Sequence, residues 1–102
     1  MLEPAVMNFT GLHFETVAEG LRFPEGPVAM ADGSVLVVEI ARGTLSRVSP
    51  DGTLDVIAEC GGGPNSAAIG PDGDVWITNN GGCFDFIDLG GMLIPGAVPD
   101  TY

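Results

Sequence analysis

The chain repeats itself once, at an offset of 40 residues. Phe23-Pro24-Glu25-Gly26-Pro27 leads through Ala31-Asp32-Gly33 into Val35-Leu36-Val37. Gly63-Pro64-Asn65 leads through Pro71-Asp72-Gly73 into Val75-Trp76-Ile77. Pro24 matches Pro64, Asp32 matches Asp72, Gly33 matches Gly73, Val35 matches Val75 and Val37 matches Ile77. A period near 40 with a β pattern marks a propeller or a similar array, whose units bury their faces against their neighbours. The alignment also sets Glu25 on Asn65, so two polar residues at equivalent places can converge on one axis.

The local pattern is that of strands. Residues 34–40 form a nearly continuous, β-branched apolar run, short for a helix and suited to a strand buried on both faces. Residues 44–49 and 53–59 flank Pro50-Asp51-Gly52, a hairpin signal. With a short strand at 28–30 before Asp32-Gly33, these make four antiparallel strands in a row. Gly61-Gly62-Gly63 crosses to a second unit, with strands at 66–69 and 74–78 around Asp72-Gly73. Residues 13–18 alternate well enough for a further, unpartnered strand. From Cys83 onward Gly90, Gly91, Pro95, Gly96 and Pro99 interrupt the apolar residues, and a long loop with one short strand is expected. No apolar period of a helix persists anywhere.

The expected organisation is therefore a leader over residues 1–11 and an all-β region over 12–102. The first blade covers about 21–60 and an incomplete second one about 61–102. At 102 residues the chain has room for two such units, whereas a closed propeller needs at least about four. Either other copies or further blades must complete it.

Composition narrows the partners. There are 14 acidic residues against three Arg (Arg22, Arg42 and Arg47), for a net charge of -11. That balance repels nucleic-acid phosphates and anionic membranes. Cys60 and Cys83 come without a CxxC or paired His, so a structural zinc site is not expected. A disulfide and two buried thiols both remain open, the thiols favoured. The first residues carry Glu3 and Pro4, lack a basic start and an apolar stretch, and do not form a signal peptide. Asn8-Phe9-Thr10 fits a glycosylation sequon, but nothing indicates a secretory route. A cytoplasmic location is expected.

The motifs carry a resemblance. Residues 21–27 (Leu-Arg-Phe-Pro-Glu-Gly-Pro), the Asp-Gly turn and the strand to Glu39 look like the first blade of the senescence-marker-protein/gluconolactonase family. Residues 64–73 look like its second-blade motif, and residues 79–96 resemble a long loop of bacterial members. The resemblance covers nearly everything from Leu12 on, and its most specific element is Glu-Gly-Pro ahead of the first Asp-Gly turn. It implies a partial six-bladed β-propeller and hydrolysis of lactones or related cyclic esters. It also implies one divalent cation in the central tunnel, calcium first, with zinc, magnesium or manganese as alternatives.

Under that resemblance Glu25 is a metal ligand, a hard anionic oxygen for a hard cation. The plainer alternative is a surface turn residue between Pro24 and Gly26. Asn65 would offer its carbonyl oxygen to the cation or its amide to substrate; the alternative is an ordinary turn Asn. Asn80 is a weaker substrate-binding candidate, since Asn79-Asn80-Gly81-Gly82 is also plain turn composition. Some relatives carry Arg where this chain has Gly63, which weakens any transfer of sugar-acid specificity. His13, the single His, is expected to be structural or exposed. The catalytic base is expected in later blades. Three functional readings stay open: a lactonase-type hydrolase present as a fragment, a non-catalytic cation- or ligand-binding module closed by self-association as a trimer, and an inactive truncated product.

Overall fold

The computed structural model describes residues 11–97. Most of the expected leader, the Asn8-Phe9-Thr10 sequon and the last five residues lie outside them. The described residues are all-β, without helix. The strands are β1 (Pro24–Ala29), β2 (Val35–Glu39), β3 (Thr44–Val48), β4 (Leu54–Glu59), β5 (Pro64–Ile69), β6 (Val75–Asn79), β7 (Phe84–Leu89) and β8 (Met92–Ala97). They form a four-stranded sheet in the order β1-β2-β3-β4 and two hairpins, β5-β6 and β7-β8, all antiparallel.

The three Asp-Gly turns are built alike. Gly33, Gly52 and Gly73 have φ of 88°, 88° and 89°. Each donates its N–H to the carbonyl three residues back, at Met30, Ser49 and Gly70. Each Asp carboxylate accepts the N–H two residues on, from Ser34, Thr53 and Asp74. Glycine supplies the left-handed backbone and the Asx turn holds the approach, so these dipeptides punctuate the strands as the sequence indicates. The Asp carboxyls are all held below their usual range. For Asp32 the leading cause is the Ser34 hydroxyl; for Asp51 and Asp72 it is the backbone N–H of Thr53 and of Asp74.

The 40-residue repeat persists in the pairing register. Pro24 pairs with Glu39, Val28 with Leu36 and Ala29 with Val35; Pro64 pairs with Asn79, Ala68 with Trp76 and Ile69 with Val75. Both first strands carry one extra residue near their starts, between Glu25 and Val28 in β1 and between Pro64 and Ser66 in β5. Such bulges re-aim side chains and are tolerated beside proline.

Alternation along β2 splits its residues between two faces. On one face Leu36, Val38 and Leu45 form the core, with Val28 and Met30 beside them. Ala67, Val75 and Ile77 of the second unit pack onto that face. On the other face lie Val35, Val37 and Glu39, paired with Val48, Ser46 and Thr44.

Glu39 is fully buried at the end of that second face. Its carboxylate accepts hydrogen bonds from the backbone N–H of Arg22 (2.7 Å), Arg42 Nε (2.8 Å), Thr44 Oγ1 (3.1 Å) and Ser46 Oγ (2.5 Å). Arg42 also donates to the Gly20 carbonyl. The segment entering β1 is thereby tied across the sheet end. Asn79, 40 residues on, does the same for the second unit. It accepts from the N–H of Gly63 and Gly81 and donates to the Gly61 carbonyl.

Three sequence expectations need correction. Residues 13–18 form no strand; Leu12, Phe14 and Val17 are exposed, and the Val17 carbonyl lies against Gly52 in the turn between β3 and β4. The expected strand at 28–30 starts earlier, at Pro24, because the bulge admits the Pro and Gly that the pattern reads as breakers. The region after Cys83 is a regular hairpin, not a loop. Gly90 and Gly91, with φ of 65° and 91°, are its two-residue turn, and Pro95 pairs with Phe86 on what is an edge strand.

Burial alone would push the Glu39 carboxyl up, but the bonds from Ser46, Arg42, Arg22 and Thr44 outweigh it and leave the pKa lowered. A lowered folded-state pKa stabilises above the unfolded value, and that contribution is lost as pH falls through the folded one. Glu39→Ala should therefore cost about 3–5 kcal/mol at neutral pH. The gap from wild type in urea-unfolding midpoint should narrow on acidification below the ordinary carboxylate range. A pH-independent gap would show that the carboxylate charge is not what matters.

Candidate functional site

Glu25 and Asn65 both lie at the strand bulges, and these bulges are neighbours. β1 and β5 are in contact. A Cβ added at Gly26 would stand 3.0 Å from the Cα of Ser66, so the residues following the two candidates already touch. Only glycine, at φ 55°, allows that approach. Both candidates are exposed, and neither side chain is hydrogen-bonded among the described residues. Two of the sequence-predicted site residues thus stand on neighbouring strands, each next to a residue of the Gly26–Ser66 contact.

Asn80 is placed differently. Its Oδ1 accepts the Gly82 N–H at 2.8 Å, and its backbone N–H donates to the Gly63 carbonyl at 2.8 Å. Its amide lies against Gly63, and its Nδ2 is buried without a hydrogen-bond partner among the described residues. A side chain at Gly63 would run into that amide. An Arg there, as some relatives carry, would displace the Asn80 amide.

Glu25 also borders a cavity of 640 Å³ on the second face of the four-stranded sheet. Val35, Val37, Val48 and Pro27 form its floor, and Val17, Ala18 and Leu21 a side wall. The lining is overwhelmingly apolar, unlike a site for a hard cation. His13 is exposed and bonded to Glu15 at 3.1 Å, remote from any cluster. Cys60 and Cys83 are both free thiols; Cys83 is buried as expected, whereas Cys60 is only partly buried.

The described residues do not complete a calcium site. No three His, Cys, Asp or Glu side chains among them come together to hold a metal ion. Glu25 and Asn65 supply two side chains where calcium takes about 6–8 oxygens. No helix among the described residues is long and apolar enough to cross a membrane.

Sequence reasoning overlooked Glu39. Its signal was legible: an acid closing an apolar run, with Arg42, Thr44 and Ser46 at the spacings that return to it across a tight turn. The cavity left no such signal, because its walls come from separate segments.

Compared with known proteins, the chain matches no family model and no curated sequence.

The Gly63–Asn80 contact generates a test. Gly63→Ala should destabilise the protein by about 1–3 kcal/mol through overpacking. Asn80→Gly in the same chain should recover most of it, giving a coupling of about 1 kcal/mol or more in a double-mutant cycle read by urea midpoints. Additive effects would mean the two residues do not press on one another.

Proposed function

We propose that this chain is part of a six-bladed β-propeller of the senescence-marker-protein/gluconolactonase kind, acting on lactones or related cyclic esters in the cytoplasm. The observation that carries the reading is the pair of adjacent bulges. Residues 40 apart in the repeat stand at bulges of two contacting strands, and neither side chain is hydrogen-bonded among the described residues. The Glu-Gly-Pro motif around Glu25 is the most specific element of the resemblance.

In this reading Glu25 and Asn65 contribute two oxygen donors to a divalent-cation site, calcium first, and groups outside the described residues complete it. Asn65 can alternatively donate its amide to a substrate hydroxyl. The general base is expected outside the described residues: His13 is engaged at the surface with Glu15, and Glu39 is saturated with donors. The chain by itself should therefore show little hydrolysis.

Isothermal titration with calcium tests the ligand role. Glu25→Gln keeps shape and removes charge, so affinity of a calcium-binding form should fall at least about tenfold, ~1.4 kcal/mol, with the unfolding midpoint nearly unchanged. Hydrolysis of a lactone series in a pH-stat, with calcium and with chelator, tests the reaction class. Unaltered calcium affinity in Glu25→Gln would remove the basis for the site.

A further inference from the structure

The contact between the two repeat units provides a template for what covers the cavity. Ala67, Val75 and Ile77 are the residues with which the second unit packs onto the first. Their equivalents 40 residues earlier are Pro27, Val35 and Val37, and all three line the cavity. The first unit therefore carries the equivalent face without a second unit on it: Pro27 is exposed, Val35 half-buried and Val37 buried, with a hollow left above them.

The complementary face is also present and also uncovered. On the first unit the receiving surface is Val28, Met30, Leu36 and Val38. Forty residues later these become Ala68, Gly70, Trp76 and Thr78. Trp76 is 70% exposed, and Ala68 and Thr78 are exposed beside it. The Trp76 indole lies over Gly70, its Nε1 3.0 Å from where a Gly70 Cβ would be. Trp76 over Gly70 stands at the positions that Leu36 and Met30 occupy in the first unit, and Ala68 and Thr78 at those of Val28 and Val38.

We propose that a second copy of this chain docks head to tail, its Trp76 face seated in the Val35–Val37–Pro27 cavity, extending the inter-unit packing already present within the chain. The interface is heterologous, so each copy has one free cavity and one free Trp76 face, and the assembly grows until a rotation closes it. With a net charge of -11 per copy, the copies repel. Salt that screens this repulsion should strengthen association. The inference rests on the repeat and the packing, and stands or falls separately from the cation-site reading.

The test uses the single tryptophan and sedimentation of the 102-residue chain. Wild type should exceed the 10.5 kDa of one chain, more so at high salt, and its emission should shift to the blue as Trp76 leaves water. Trp76→Asp should sediment as one chain with unchanged circular dichroism, as should Val35→Asp. Val17→Asp provides a second cavity variant, since Val17 is 56% exposed and contributes little to the fold. An equimolar mixture of Trp76→Asp with either cavity variant retains one intact interface, so it should form a dimer and stop there. A wild-type chain that stays monomeric at all salt concentrations, association that survives Trp76→Asp, or folded variants that fail to pair would each overturn the proposal. A monomer whose cavity is covered by a further sheet of a longer polypeptide is among those overturning outcomes.

Discussion

The buried carboxylate of Glu39 holds the four-stranded sheet to the segment that enters it. A charge in that position would be prohibitive without partners. Here a backbone N–H, a guanidinium and two hydroxyls surround it. Because Arg22 N and the Gly20 carbonyl belong to the entering segment, satisfying the charge also fixes where that segment crosses the sheet. Residues 17–21 then become the wall of the cavity, and β1 is delivered at the height where its bulge faces β5.

The second unit solves the same problem with a neutral group. Asn79 has a donor and an acceptor, so it can tie Gly61, Gly63 and Gly81 without a cation nearby. The exchange of Glu for Asn explains why only the first unit needs Arg42, Thr44 and Ser46 in its second hairpin. One positional role is conserved between the units, and the chemistry around it adapts to the charge chosen.

Packing between the units follows from their faces. The first unit gives its Leu36–Val38–Leu45 face to the second, and its opposite face keeps an apolar hollow. The second unit keeps Trp76 in water. The two units carry equivalent faces at the 40-residue offset, although the residues on them differ. Glu25 and Asn65 sit at the bulges next to this packing, where the backbone departs from regular pairing and side chains can be presented to a ligand.

Much of this was legible in the order of residues. Three Asp-Gly dipeptides mark three turns because left-handed backbone and an Asx acceptor are local requirements. The offset-40 match marks a repeated pairing register because side-chain alternation ties sequence position to sheet face. The same match set Glu25 on Asn65, and the bulges do adjoin. Other features needed the folded chain. The alternation in residues 13–18 is genuine, but the segment takes no strand conformation and lies with Val17 against the Gly52 turn. The glycines and prolines after Cys83 read as breakers, yet two of those glycines make a hairpin turn and Pro95 sits on an edge where its missing N–H costs nothing. Whether Asn80 faced a ligand or a neighbour depended on Gly63, 17 residues away. Local rules governed turns and register; contacts between distant segments decided which polar groups were used up inside the fold and which were left for a partner.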